Sequence, residues 1–204
     1  MSKAIIKLQN ETTKTDVVMR QFNKAVVIYI GLLGFHSQVN SSDLALNELG
    51  HINEISYGFD NYAYIKVNNG NNGLATIIQK SFGNGGNNKA AISQSGNGNK
   101  AIIEQQGALN KASIQQDGNY NLAYISETGV DNTGLILQVG NNNKAALVQK
   151  GKGNKGEISQ YGNDNTALIV QKSNVKSYYS EITQTGNNQT HVIINGMNRN
   201  IVIE

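Results

Sequence analysis

Eleven residues separate each of eight successive positions in this chain: Gln94, Gln105, Gln116, Glu127, Gln138, Gln149, Gln160 and Gln171. Five residues after each of the first seven stands an asparagine, at Asn99, Asn110, Asn121, Asn132, Asn143, Asn154 and Asn165. Two residues before each of the eight stands an aliphatic, at Ile92, Ile103, Ile114, Ile125, Ile136, Leu147, Ile158 and Ile169. A glycine lies two residues after each of the first seven, from Gly96 to Gly162. Self-similarity at a fixed period specifies a stacked repeat architecture before any local propensity is weighed.

The unit reads Asn-x-Ala-x-Ile-x-Gln-x-Gly-x-x. Its Asn, Ala, Ile and Gln are two residues apart, so on an extended strand all four face one side. The remaining x-Gly-x-x is a bend in which glycine supplies positive φ. No window offers the 3.6-residue period of a helix. Fainter copies extend the array, at Asn61-Ala63-Ile65-Val67, Gly73-Ala75-Ile77-Gln79, Tyr178-Ser180-Ile182-Gln184 and Gln189-His191-Ile193-Asn195, with Asn200-Val202-Glu204 as a stub. Longer bends interrupt it at Lys80–Asn87 and Lys172–Ser177. The predicted fold is all-β: a β-solenoid of roughly six stacked strand–turn–strand rungs, forming two parallel sheets of amyloid-like spacing.

The aliphatics alone are too few for an ordinary core, so the inward amides must contribute. Identical amides stacked at the strand spacing donate each to the next carbonyl, and such ladders satisfy groups that would be costly to bury singly. Gln94, Gln105, Gln116, Gln138, Gln149, Gln160 and Gln171, with the seven asparagines above, are the expected ladder residues. The end rungs should then present unpaired edges able to template another chain. The absence of proline agrees, since no strand position lacks a donor.

The N-terminal region reads differently. Residues 25–35 form an apolar run preceded by Arg20 and Lys24, too short to span a bilayer comfortably and followed by small residues. Residues 1–41 are therefore expected to be a signal peptide, with a possible upstream extension before Met19 and cleavage between Ser41 and Ser42. Residues 42–60 follow as a mature N-terminal segment, 61–171 as the repeat array and 172–204 as divergent C-terminal repeats. The leader holds five of the seventeen basic residues and two of the fourteen acidic ones, which leaves twelve of each behind. The basic balance of the whole chain thus carries no argument for nucleic-acid binding, and near-zero net charge does little to oppose self-association. Within the array, Lys144, Lys150, Lys152, Lys155, Lys172 and Lys176 outweigh Glu157 and Asp164. That stretch reads as a solvated outer face or as a contact for an anionic membrane or polymer.

No catalytic, metal or cofactor constellation emerges. The chain has no cysteine, its histidines His36, His51 and His191 are scattered, and Gly151-Lys152 lacks the following Ser or Thr of a phosphate loop. The chain is not expected to be an enzyme or to hold a cofactor.

The units Asn-x-Ala-x-Ile-x-Gln-x-Gly, paired behind a signal peptide, resemble the curlin repeats of bacterial curli, an extracellular functional amyloid. The resemblance is tightest from Asn88 to Gln171. The stretches Asn121-Leu122-Ala123-Tyr124-Ile125, Ile158-Ser159-Gln160-Tyr161-Gly162 and Thr166-Ala167-Leu168-Ile169-Val170-Gln171 are most similar to the minor, nucleating subunit of that family, as are Asp43-Leu44-Ala45 and Asn47-Glu48-Leu49. The resemblance implies export through outer-membrane curli secretion machinery and retention at the outer cell surface. It implies seeding of the homologous major curlin into fimbriae that serve adhesion and biofilm. By the same likeness, residues 172–204 would anchor the protein, through the apolar Ile193-Ile194 and Ile201-Val202-Ile203 rather than through charge. Two other readings stay open: a major, fibre-forming curlin, and a monomeric β-solenoid that binds ice or glycan.

Overall fold

The computed structural model describes residues 2–10, 15–21, 26–31, 61–68, 72–81, 87–173, 177–196 and 199–203. Strands and the bends between them account for all of these, and none is helical. Three strands, β1 (Ser2–Asn10), β2 (Thr15–Gln21) and β3 (Val26–Gly31), precede the array. The first rung is β4 (Asn61–Asn68) with β5 (Gly73–Ser81), and the next is β6 (Asn88–Ser95) with β7 (Lys100–Ala108). Then follow β8 (Lys111–Asp117) with β9 (Leu122–Val130), and β10 (Thr133–Val139) with β11 (Lys144–Lys152). The last rungs are β12 (Lys155–Tyr161) with β13 (Thr166–Ser173), and β14 (Tyr179–Thr185) with β15 (Thr190–Gly196), before a short β16 (Arg199–Ile203). The chain makes about five turns of solenoid.

Successive strands alternate between two sheets, because each glycine bend carries the chain across the sandwich. The nine-stranded sheet runs β16-β15-β13-β11-β9-β7-β5-β1-β3, and the seven-stranded sheet runs β14-β12-β10-β8-β6-β4-β2. From β4 to β15 every pairing within a sheet is parallel, and in the regular rungs it places like on like: Ile103 beside Ile125, Gln105 beside Glu127, Ile136 beside Ile158; toward the ends Val67 lies beside Gln94 and Ala167 beside His191. Such register is pinned by the inward face, since a one-residue slip would turn every Ile and Gln outward. The bends need glycine for space as well as for dihedral. Gly118 has φ +123°, and a Cβ there would lie 2.0 Å from the carbonyl oxygen of Gly140 in the next turn.

The core is a double column of aliphatics, fully buried at Ile92, Ile103, Ile125, Leu147, Ile158 and Ile169 and nearly so at Ile114 and Ile136. Alanines fill the narrower space beside them. One local exchange departs from this plan. Leu147 replaces isoleucine in β11, and Gly134 and Gly156 replace alanine in the strands of the opposite sheet. A Cβ at Gly134 would meet Leu147 Cδ2 at 2.9 Å, and one at Gly156 would meet Leu147 Cδ1 at 2.5 Å. The side chain, branched at Cγ rather than Cβ, thus reaches into the room that two missing methyl groups leave, which is a change of shape rather than of its own volume.

The two ends depart from parallel stacking. β1 pairs antiparallel with β5, and β2 antiparallel with β4, so both edges of the first rung are covered. At the other end β16 pairs antiparallel with β15, while β14 remains an edge strand of its sheet. The stub at Asn200-Val202 was expected to extend the array; instead it folds back. Only residues 197–198 separate β15 from β16, as short as the two-residue links that carry β7, β9 and β11 across to the other sheet, so link length does not by itself decide the fold-back. Of the expected leader's apolar run, residues 26–31 form β3, whereas residues 25 and 32–35, the cleavage position at Ser41 and the whole of 42–60 lie outside the described residues.

Candidate functional site

The inward amides run as ladders along the solenoid axis. In the seven-stranded sheet, Gln94 Nε2 donates to Gln116 Oε1, Gln116 to Gln138 and Gln138 to Gln160, each at 2.8 Å. Gln160 then donates to Gln184 at 2.7 Å. The second hydrogen of each amide crosses the sandwich. Gln116 Nε2 donates to the Lys100 carbonyl of the other sheet, and Gln138 Nε2 to that of Leu122, both at 3.1 Å. One side chain therefore ties its rung both to the next rung and to the opposite sheet. All these glutamines are buried, so each hydrogen bond also removes a desolvation cost.

In the nine-stranded sheet the column is Gln79, Gln105, Glu127, Gln149 and Gln171. Gln79 donates to Gln105 at 2.8 Å, Gln105 to Glu127 Oε2 at 2.7 Å, and Gln149 to Gln171 at 2.8 Å. The step from Glu127 to Gln149 is missing, and both Glu127 Oε1 and Gln149 Oε1 are buried without a hydrogen-bond partner. An ionised carboxylate is acceptor-only and has nothing to give Gln149. Burial pushes the Glu127 carboxyl well above its usual range, against the opposing pull of the Gln105 amide and the Gly134 backbone. The expectation that the ladders satisfy the buried amides therefore fails at this step.

The asparagines divide into two columns that the sequence shows as one. Asn110, Asn132 and Asn154 each donate through Nδ2 to the Oδ1 of the asparagine one turn earlier, at 3.0 Å. Asn110 and Asn132 also donate to the carbonyls of Gly129 and Gly151, at 3.0 and 3.1 Å, whereas Asn99, Asn121, Asn143 and Asn165 clamp the bend of the next turn without an Nδ2 ladder bond. Their Nδ2 groups donate to the carbonyls of Gly118, Gly140, Gly162 and Gly186 at 2.7–2.8 Å. A further ladder was not anticipated: Asn97, Asn119, Asn141 and Asn163 each donate Nδ2 to the asparagine one turn on, ending at Asn187. Its signal is an asparagine repeated at 22-residue spacing, visible only when alternate bends are compared separately.

The chemistry offered is thus backbone and amide hydrogen bonding, repeated and directional. At β14 the seven-stranded ladder ends on Gln184 in an edge strand, with Ile182 and Ser180 beside it on the inward face. Among the described residues no group of three His, Cys, Asp or Glu is placed to hold a metal ion.

Parallel rungs with amide ladders between them define a β-solenoid of amyloid type. Residues 84–107, 129–162 and 140–172 match the family described as the curlin associated repeat. These matches cover about a third of the chain and support a curli-type amyloid subunit; curlin-family proteins are extracellular fibre components. The family and the fold are structural rather than enzymatic in kind. No curated protein and no solved structure matches the chain.

Proposed function

We propose that this chain is a minor-type curlin subunit that nucleates polymerisation of a homologous major curlin at the outer cell surface, after export and removal of residues 1–41. The observation that carries this reading is the inequality of its two ends. At the C-terminal end the edge of the seven-stranded sheet is the repeat strand β14, whereas the edge of the nine-stranded sheet is the antiparallel β16 laid over β15, so a newcomer finds a repeat strand to extend only at β14. A fibre-forming subunit needs a repeat strand at the edge of both sheets at both ends. At the N-terminal end the antiparallel cover of β4 and β5 consists of β1 and β2, which lie within the expected leader. Cleavage would free two adjacent strands, with the Asn61-Ala63-Ile65 and Ala75-Ile77-Gln79 faces ready for a parallel rung.

An incoming chain adds there by strand augmentation, its backbone completing both sheets and its glutamines extending the ladder above Gln79. Templating removes the cost of ordering a first rung, as growth of a helix avoids its nucleus. Ladder complementarity selects partners that carry amides at the same eleven-residue interval. This is the physical content of preference for a second curlin.

The test is residues 42–204 added in substoichiometric amount to freshly diluted major curlin, followed by amyloid-dye fluorescence. Loss of the lag phase is expected. A persisting lag with abundant fibres from this chain alone would assign it to the major subunit. A persisting lag with a monomeric chain would leave the ligand-binding solenoid as the better reading.

A further inference from the structure

The two outer faces of the sandwich differ in chemistry. On the seven-stranded sheet, Glu157 and Ser159 of β12 sit beside Glu181 and Thr183 of β14, so the apolar outward residues Leu135 and Leu137 of β10 are not continued into the last two strands. On the nine-stranded sheet at the same height, the pairing of β11, β13, β15 and β16 aligns Ala146, Leu168, Val192 and Ile203 in one outward column. The adjacent outward column is Val148, Val170, Ile194 and Ile201. No polar side chain interrupts either column across these strands. The inner members are half-buried by one another, while Ile201 and Ile203 are 43% and 54% exposed. With strands ~4.8 Å apart, the patch covers on the order of 300 Å², comparable to the largest apolar patch on an ordinary monomer, which is often functional.

Lysines border the patch on both sides. Lys144 stands at one margin, Lys150 and Lys172 pair at the other with Lys152 beyond them, and all four are exposed. The same face carries Lys80 and Lys100, and Glu104 is its single outward carboxylate among the described residues. The charge excess that the sequence shows along residues 144–176 therefore gathers mainly on one face, whereas Lys155 lies on the other with Glu157.

An apolar stripe between rows of cations fits the boundary of an anionic bilayer. Apolar side chains enter at headgroup depth, and flexible lysines reach the lipid phosphates. A second copy of this chain fits poorly, because its lysine rows would meet rows of like charge. We infer that this face docks the protein flat on an anionic lipid bilayer, with Leu168, Val170, Val192 and Ile194 at the headgroup boundary and the bordering lysines on lipid phosphates. The solenoid axis then lies along the membrane plane, and β14 remains open to incoming chains. Docking does not depend on nucleation: a chain that seeds nothing would still bind. It also moves attachment from the C-terminal repeats alone to a face that they complete together with β11 and β13.

Flotation of the freshly diluted full-length chain with phosphatidylcholine vesicles, with and without phosphatidylglycerol, tests this, since fibres pellet while vesicle-bound protein floats. Wild type should float only with the anionic vesicles. Lys150→Glu with Lys172→Glu should lower the partition coefficient at least tenfold, at ~1 kcal/mol for each lysine near such a surface. Val170→Ser with Ile194→Ser should also lower it, whereas Lys111→Glu with Lys155→Glu on the opposite sheet should change it by less than about twofold. Far-ultraviolet circular dichroism shows whether each variant keeps its strands. Equal loss from both lysine pairs, or equal binding to neutral vesicles, overturns the proposal. So does a dimer in vesicle-free buffer that Val170→Ser with Ile194→Ser abolishes.

Discussion

The two glutamine ladders occupy equivalent places in the same solenoid, yet one is continuous and the other is broken. In the seven-stranded sheet Gln94, Gln116, Gln138, Gln160 and Gln184 pass a hydrogen bond along every step. In the nine-stranded sheet the exchange of one amide for a carboxyl at Glu127 leaves two facing oxygens with no hydrogen between them. The backbone does not register the difference: β9 and β11 pair in full register across the break. Shape and extended pairing therefore hold the rungs, and the ladder adds satisfaction of polar groups on top. A ladder is only as sound as its donors, because each amide gives and takes once along the axis.

The largest expected effect comes from cutting the sound ladder. Gln138→Ala removes the acceptor of Gln116, the donor to Gln160 and the tie to the Leu122 carbonyl, all in a buried site. At ~1–3 kcal/mol for each buried polar group left unpaired, less what relaxation recovers, the loss should be on the order of 4 kcal/mol. Glu127→Ala at the equivalent height should cost about half as much, since the step to Gln149 is already missing and what is lost is the bond from Gln105 and the backbone contact of Gly134. Urea unfolding of the monomeric chain measures both. Equal losses would mean that the break is closed in solution.

A smaller effect should follow from mending the broken ladder. Glu127→Gln supplies an amide donor facing Gln149 Oε1 and should stabilise the chain by about 2 kcal/mol at neutral pH. The pH dependence has a definite sign. Burial raises the folded-state pKa of Glu127 above its unfolded value, so the native state holds this proton more tightly. Its contribution is therefore complete below the ordinary carboxylate range. It declines as pH rises from that range to the raised folded value, above which it is gone. A proton on Oε1 is also the missing donor to Gln149. Unfolding free energy against pH should fall across that window in the wild type, and the fall should be absent in Glu127→Gln. An unchanged slope would place the titration elsewhere.

Much of this was legible in the sequence, because period, inward face and register are one fact stated three times. Once Asn, Ala, Ile and Gln recur at eleven residues, parallel stacking of like on like follows, and Ile103 must meet Ile125. The break at Glu127 was hidden by that same regularity. In a repeat alignment glutamate passes as an isostere of glutamine, and only the direction of each hydrogen bond shows that a donor is missing. The pairing of Leu147 with Gly134 and Gly156 was hidden because it crosses the sandwich, where sequence spacing carries no sign of contact. The fold-back of β16 was hidden because its pattern, Ile201-Val202-Ile203, is apolar at every position and fixes no inward face.

The exposed asparagine ladder sets the lower limit of the comparison. Asn141 accepts from both the backbone N–H and the Nδ2 of Asn119, each at 3.0 Å, and donates in the same two ways to Asn163. Its side chain makes three of these bonds, as many as the side chain of Gln138. It lies at the solvent margin, however, where water replaces whatever a substitution removes, so the penalty of an unpaired group does not arise. Asn141→Ala should accordingly cost only about 0.5–1 kcal/mol, well below Gln138→Ala despite the equal count. The loss should appear instead as faster hydrogen exchange at the Asn119 amide, whose acceptor is gone, with little change at the strand amides of β8 and β10. A loss as large as that of Gln138→Ala would mean that the bend, rather than the buried amide column, sets the stability of each turn.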